Sequence, residues 1–362
     1  MSILIFLIVL SILIIVHELG HFATAKSLGV KVERFAVGFG PKLFSFMFHG
    51  TEFAVCLIPL GGYVKMSGDE RSEHKGEAHE YYSKPPGHRA LIVLMGPVVN
   101  YVLALVCFYF VFLFGYPTLS AKVGELIKDY PAQSAGLEVN DQILRINNKE
   151  IKSWEDLQQY ISTSKESELN FVFLRDGKEK QLVVKPSVEE LTNIFGQKER
   201  IRVVGIRPQE EIIVLKHGAG ESVVKSFERL GEITVTTYKA LYRIATGAMS
   251  AKDSMTGPIG IFYIIKKAAE MGLSYLLYVM AIISASLAIF NLLPLPVLDG
   301  GHLFLLGIEK VRGKPLSNKA DEALSRVGLS LILCLAAFVF YSDLIRYGWL
   351  DKIMGLWRHL GL

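Results

Sequence analysis

The chain has 362 residues, 51% of them hydrophobic and only 20% charged, with a formal net charge of +4. That balance excludes one ordinary soluble core and points to a membrane protein with a soluble part, while the mixing of basic with acidic residues implies no nucleic-acid surface. Three cysteines, Cys56, Cys107 and Cys334, argue against a disulfide framework or a cysteine-built zinc site.

The first predicted element is a helix from about Ser2 to Ala25. Between Ile3 and Val16 the only polar residue is Ser11, and the run closes on His17-Glu18-Leu19-Gly20-His21. A basic leader and a small-residue cleavage site are lacking, so this reads as a retained helix and not a signal peptide. Crossing a bilayer takes about 20 residues, so the helix must continue to about Ala25, which carries the motif into the membrane. On a helix His17 and His21 share a face one turn apart, as two imidazole ligands of one Zn²⁺ require. Glu18 then has the position of a general base toward water. Ionisable groups cost about 2.5–3.5 kcal/mol each at the centre of a membrane helix, which marks them as functional candidates.

A polar, glycine-rich segment follows, with Gly38-Phe39-Gly40-Pro41, an alternating stretch from Glu52 to Ile58, and Gly61-Gly62-Tyr63-Val64-Lys65-Met66. It predicts short strands or a hairpin loop. A second span runs from about Ala90 to Phe114 and contains Gly96-Pro97 and Asn100. Between Lys122 and Pro186 the pattern is a small α/β domain. Strands are predicted at Val123–Ile127 and Gln142–Ile146, helices at Pro131–Ala135 and Trp154–Ile161, and a hairpin over Leu169–Val184 turning at Asp176-Gly177. From about Glu221 to Met271 amphipathic helices broken at Thr256-Gly257-Pro258 fit either a membrane surface or packing on the soluble domain. The third and fourth spans are predicted at about Leu273–Leu293 and Val327–Ile345. The domain division is therefore 1–115, 116–190, 191–272 and 273–362. Loops 26–89 and 310–326 are rich in Lys and Arg, which places them on the cytoplasmic side and the middle domain outside; Arg346, Lys352 and Arg358 in the tail count against it.

The third span ends in Asn291-Leu292-Leu293-Pro294-Leu295-Pro296-Val297-Leu298-Asp299-Gly300-Gly301. Two close prolines cannot continue a helix, and broken backbone at membrane depth is tolerated only where it is enclosed or lines a water-filled cavity. Asp299 offers a carboxylate as third zinc ligand, leaving one position for water; a helix N-cap is its other reading. The amides of Asn291 and Asn100 fit either an oxyanion or interhelical bonding.

These residues, with Gly38-Phe39-Gly40, Gly61 to Met66, Gly96 to Asn100 and Gly257-Pro258, resemble the site-2 protease family of intramembrane zinc metalloproteases, in the branch of the bacterial regulator of sigma-E protease. Pro131 to Leu157 resembles a permuted PDZ domain; that branch usually has two in tandem, and this chain has room for one. The resemblance implies a multi-pass α-helical membrane protein of about four transmembrane helices, with a cytoplasmic-side β-hairpin region and an inserted α/β PDZ domain. It implies one Zn²⁺ per chain on His17, His21 and Asp299, with Glu18 as base. Gly61, Gly62, Tyr63 and Val64 would receive substrate by strand addition, with Asn291, Pro294 and Pro296 also at the substrate. Implied substrates are transmembrane segments of single-span proteins trimmed beforehand by another protease, as in anti-sigma factor release. The alternatives are remnant signal peptides or a non-catalytic membrane PDZ scaffold. The implied location is the bacterial cytoplasmic (inner) membrane with the PDZ domain on the outer, periplasmic side; the lipid bilayer is a partner and nucleic acid is not.

Overall fold

The computed structural model describes residues 2–192, 198–314 and 317–349; the tail with Lys352 and Arg358 lies outside the described residues. The chain forms two compact units, one of Met1–Tyr109, Val224–Lys239 and Ala251–Leu362, the other of Phe110–Val223 with Ala240–Ser250.

α1 (Ser2–Ser27) runs unbroken through the His-Glu-x-x-His residues. β1 (Val32–Phe48) and β2 (Thr51–Met66) follow, and both fold back on themselves. Arg34 to Val37 pair with Lys65 back to Gly62 on one flank and with Glu52 to Val55 on the other; Phe44 to Phe48 pair with Val55 back to Thr51. Four strand segments thus lie side by side, with 62–66 at one edge. The reversals fall at Gly38, Gly40 and Gly61, at φ +88°, +87° and +112°, where a side chain is disfavoured. The glycine punctuation in the sequence marks these turns. α2 (Pro86–Phe114) begins on a proline, whose missing N–H would have no helical partner there, and carries Pro97 within it.

In the second unit β3 (Tyr116–Leu119) and β4 (Val123–Leu126) lead to α3 (Pro131–Ala135), closed by Gly136 at φ +94°. β5 (Gln142–Ile146), β6 (Lys149–Glu150), α4 (Trp154–Thr163), β7 (Leu169–Arg175) and β8 (Lys178–Val184) come next, with sheet order β6-β5-β7-β8. Ser153 and Asp156 form a capping box that starts α4. Leu157 and Ile161 of α4 share a core with Phe171 and Phe173 of β7, each such buried side chain contributing about 1.5–3 kcal/mol. β9 (Ser187–Thr192) pairs with β10 (Lys198–Val203), β11 (Ile206–Pro208) with β4, and β12 (Ile212–Leu215) with β3. The sequence reading ends this domain at 190. Strands β11 and β12 instead return to its first two strands, and the compact unit extends to Val223. Short strands such as Lys198-Glu199-Arg200-Ile201-Arg202-Val203 carry too little apolar alternation to stand out.

α5 (Ala219–Ala245), α6 (Ala251–Ser254), α7 (Pro258–Met271), α8 (Leu273–Asn291), α9 (Asp299–Arg312) and α10 (Asn318–Arg346) follow in the described residues. The middle of α5 lies against apolar helices: Thr234 Oγ1 is 3.3 Å from Tyr101 Oη of α2, and Arg229 Nε donates to Tyr278 Oη of α8 at 2.8 Å. Asp343 of α10, fully buried, accepts from the Gly257 and Gly260 N–H groups at 3.2 and 2.8 Å, placing negative charge at the N-terminus of α7. Among the described residues, four helices are long and apolar enough to cross a membrane: α1, α2, α8 and the Lys319–Arg346 stretch of α10.

Candidate metal centre

Helix α1 sets His17 and His21 on one face, with His17 only 8% exposed. Asp299 reaches them through the break between α8 and α9. Val297, at φ +79°, holds a conformation that costs a β-branched residue about 1–3 kcal/mol. Gly300 and Gly301 let the first turn of α9 press on the preceding backbone; a Cβ at Gly300 would run into the main chain of Leu292 and Leu293, and one at Gly301 into that of Leu295. Strain and close approach together fold α9 back so that its first residue faces α1. Leu298, not Asp299, is the N-cap, and no side-chain cap bond forms, so the capping reading does not apply.

The three side chains converge. His17 Nε2 lies 3.2 Å from His21 Nε2 and 3.2 Å from Asp299 Oδ2, and His21 Nε2 lies 3.6 Å from Asp299 Oδ1. Metal–ligand bonds of about 2.0–2.1 Å in a tetrahedron give ligand–ligand edges of about 3.3 Å. His17, His21 and the Asp299 carboxylate, with one carboxylate oxygen toward each ring, therefore form a donor triangle of the size a zinc site needs. Apart from the His17 ring 3.2 Å away, Asp299 Oδ2 is buried without a hydrogen-bond partner among the described residues, an arrangement that leaves a carboxylate oxygen for a cation. Among the described residues, His17, His21 and Asp299 form the one cluster of His, Cys, Asp or Glu suited to a metal ion.

Helix α2 backs this triangle. His21 Nδ1 lies 2.9 Å from the Ile92 carbonyl and His17 Nδ1 lies 3.2 Å from Asn100 Nδ2, so both rings are held from behind with Nε2 forward. Gly96, midway between those residues, leaves the space in front: a Cβ there would run into His21 Nε2 and stand 2.9 Å from His17 Cε1. Reciprocally, Gly20 has no room for a side chain against the Met95 main chain. Sequence reasoning gave Gly96 only as part of a family motif, with no place at the rings, and missed Ile92. The signal for Gly96 was its place four residues before Asn100, which puts both on one helical face.

The Glu18 carboxylate lies beside the Val64 backbone N–H. A Cβ added to Gly62 would stand 3.3 Å from Glu18 Cγ and 3.1 Å from Ile14 Cγ2, so the glycine brings strand edge 62–66 against α1 beside Glu18. Tyr63 Oη accepts from Arg34 Nη1 at 3.2 Å, and Gly61 packs on the Phe39 ring. Asn291 Nδ2 is 3.5 Å from His17 Nε2, on the donor side of the ring, whereas Asn100 is behind it and out of reach of an oxyanion. Pro296 packs on Gly328 of α10. A cavity of about 280 Å³ joins Glu18, His21 and Asp299 to His302, Tyr81 and Arg89. Burial pushes the Tyr81 hydroxyl well above its usual range, so it stays protonated there.

The family profile described as Peptidase family M50 matches residues 5–335. A protein of Mesorhizobium japonicum named as a zinc metalloprotease is 33% identical over 357 residues, covering 94% of this chain and 97% of its own. The regulator of sigma E protease of Haemophilus influenzae is 28% identical over 436 residues, covering 94% and 98%. The PDZ domain of an SdrC-like protein from Listeria monocytogenes aligns with 26% of this chain and 88% of its own, at 21% identity and a TM-score of 0.20.

Proposed function

Since the chain belongs to peptidase family M50, the site-2 protease family of intramembrane zinc metalloproteases, we propose that His17, His21 and Asp299 hold its zinc, one ion per chain, and that Glu18 is its catalytic base. What carries this assignment is the convergence of two imidazole nitrogens 3.2 Å apart on one carboxylate, whose Oδ2 lies 3.2 Å from His17 Nε2 and whose Oδ1 lies 3.6 Å from His21 Nε2, a set of three ligands that leaves a fourth tetrahedral position open. When bound, zinc supplies a Lewis acid that polarises a peptide carbonyl and acidifies the attacking water. Glu18 takes the proton from that water and passes it to the leaving amine. The Val64 N–H steadies the Glu18 carboxylate in this role. Asn291, with its amide beside His17 Nε2, donates to the developing oxyanion.

A substrate helix hides its carbonyls in its own hydrogen bonds and must unwind before attack. Edge segment 62–66 receives the unwound stretch by strand addition, with Gly61, Gly62, Tyr63 and Val64 beside the base, and Pro294 and Pro296 also meet the substrate. Substrates are transmembrane segments of single-span proteins already trimmed by another protease, as in anti-sigma factor release. The Lys- and Arg-rich loops 26–89 and 310–326 support a cytoplasmic side for those loops at the bacterial inner membrane and an outer side for the α/β domain, of PDZ type, acting as a size filter. Cleavage of a reporter transmembrane helix by the full chain and by Glu18→Gln tests the core of this reading. Wild type cuts and the variant loses at least about 100-fold, in line with removal of a general base; equal cutting by the two would overturn it.

A further inference from the structure

Helix α2 does more than pack on α1. Residues 92, 96 and 100 recur at helical spacing and meet His17 and His21, themselves one turn apart, so a single face of α2 serves both rings. The two contacts differ in kind. Ile92 offers a backbone carbonyl, which can only accept; His21 Nδ1 therefore carries the proton and its Nε2 presents a bare lone pair. Asn100 offers an amide, which has an acceptor as well as donors. It is fully buried, its Oδ1 has no hydrogen-bond partner among the described residues, and its Nδ2 stands 3.2 Å from His17 Nδ1. The oxygen and nitrogen of an amide exchange places by a half-turn, so Oδ1 reaches the same point. The position of Asn100 is itself fixed, since Ser284 Oγ of α8 donates to its backbone carbonyl at 2.8 Å.

We propose that Asn100 is a positioning residue for His17: its amide oxygen accepts the Nδ1–H, so that Nε2 faces the donor triangle unprotonated, matching what Ile92 does for His21. The inference rests on the zinc assignment above. Without an acceptor behind it, the ring of His17 is free to carry its proton on Nε2, the atom 3.2 Å from both His21 Nε2 and Asp299 Oδ2, where a proton excludes a metal. Outer partners of this kind change metal affinity by about 10–100-fold.

The experiment is competition for zinc between a chromophoric chelator and the full chain in detergent, for wild type, Asn100→Leu and Asn100→Asp, with the absorption spectrum of the cobalt(II) form of each. Aspartate keeps an acceptor at the ring and leucine keeps only the volume. The expected result is about 10–100-fold weaker zinc binding with an altered cobalt spectrum in Asn100→Leu, and affinity within a few fold of wild type in Asn100→Asp. If Asn100→Leu does not accumulate, Asn100→Ala replaces it in the same comparison. Wild-type affinity in the leucine or alanine variant, or an aspartate variant as weak as either, overturns the positioning role. Absence of zinc binding in wild type would instead overturn the metal assignment itself, which keeps the two failures apart.

Discussion

Replacing Gly96 by alanine adds one methyl group at the place where the front of the proposed zinc triangle must stay open. The new Cβ runs into His21 Nε2 and stands 2.9 Å from His17 Cε1. Restoring ordinary contact requires His21 to retreat by roughly 1 Å, several times the ±0.2 Å that a metal site tolerates. Helix α2 cannot withdraw instead without undoing the contact at Gly20, which already meets the Met95 main chain with no side chain between. Overpacking of this size costs about 1–3 kcal/mol in stability, which a membrane domain survives. Loss of one good ligand weakens zinc far more than stability, by at least the 10–100-fold seen when a supporting residue is removed. The assay is zinc retained after dialysis against graded chelator, beside thermal unfolding in detergent. Gly96→Ala is expected to fold yet to retain zinc only at chelator levels at least about 10-fold below those that strip wild type. A variant that folds, holds zinc as wild type does and cleaves at the wild-type rate would refute the placement of α2 against the triangle.

Arg89 and Glu309 form an ion pair at 2.5 Å with side chains 5% and 12% exposed, tying α2 to the helix that begins with Asp299. Removing either partner strands a buried charge, so Glu309→Leu is expected to cost about 3–5 kcal/mol and the double Arg89→Leu/Glu309→Leu much less, read as a double-mutant cycle of unfolding in detergent. Asp343→Ala removes the carboxylate that receives two N–H groups at the start of α7 and is expected to cost about 1–2 kcal/mol by the same measurement, with Asp343→Asn milder. Glu52 is held down to about 2 by hydrogen bonds from Lys42 and Arg34. A carboxylate lowered in the folded state contributes stability above its unfolded value of about 4.3 and loses it as pH falls toward 2. Proteolysis within 32–66 is therefore expected to quicken over that window in wild type, while Glu52→Gln is insensitive to it.

Much of the site was legible because its chemistry is expensive where it stands. His17, Glu18 and His21 interrupt an apolar helix, and Asp299 follows a proline-broken one, so each shows against its background. What stayed hidden depends on neighbours distant in sequence. A backbone carbonyl such as Ile92 has no sequence signature, and Gly96 looks like any glycine before a proline until His21 is seen to lie against it. Asn100 allowed two readings, and only its distance from His17 Nδ1 separates ring support from oxyanion contact. In the fold, spans and the α/β hairpin follow from strong apolar periodicity, whereas β9 to β12 are brief and charged and are fixed by pairing with strands earlier in the chain. The doubling back of β1 and β2 was signalled by glycines, yet which segment forms the edge was set by pairing on both sides of Arg34 to Val37.

Metal content of the purified full chain, wild type against Asp299→Ala, is the most direct measurement of the whole assignment. About one zinc per chain in wild type and near-complete loss in the variant, with both folded to the same melting temperature once stripped of metal, is the expected outcome. Zinc retained at the wild-type level by Asp299→Ala would remove the aspartate from the site and contradict the proposal that α1 and α9 together build it.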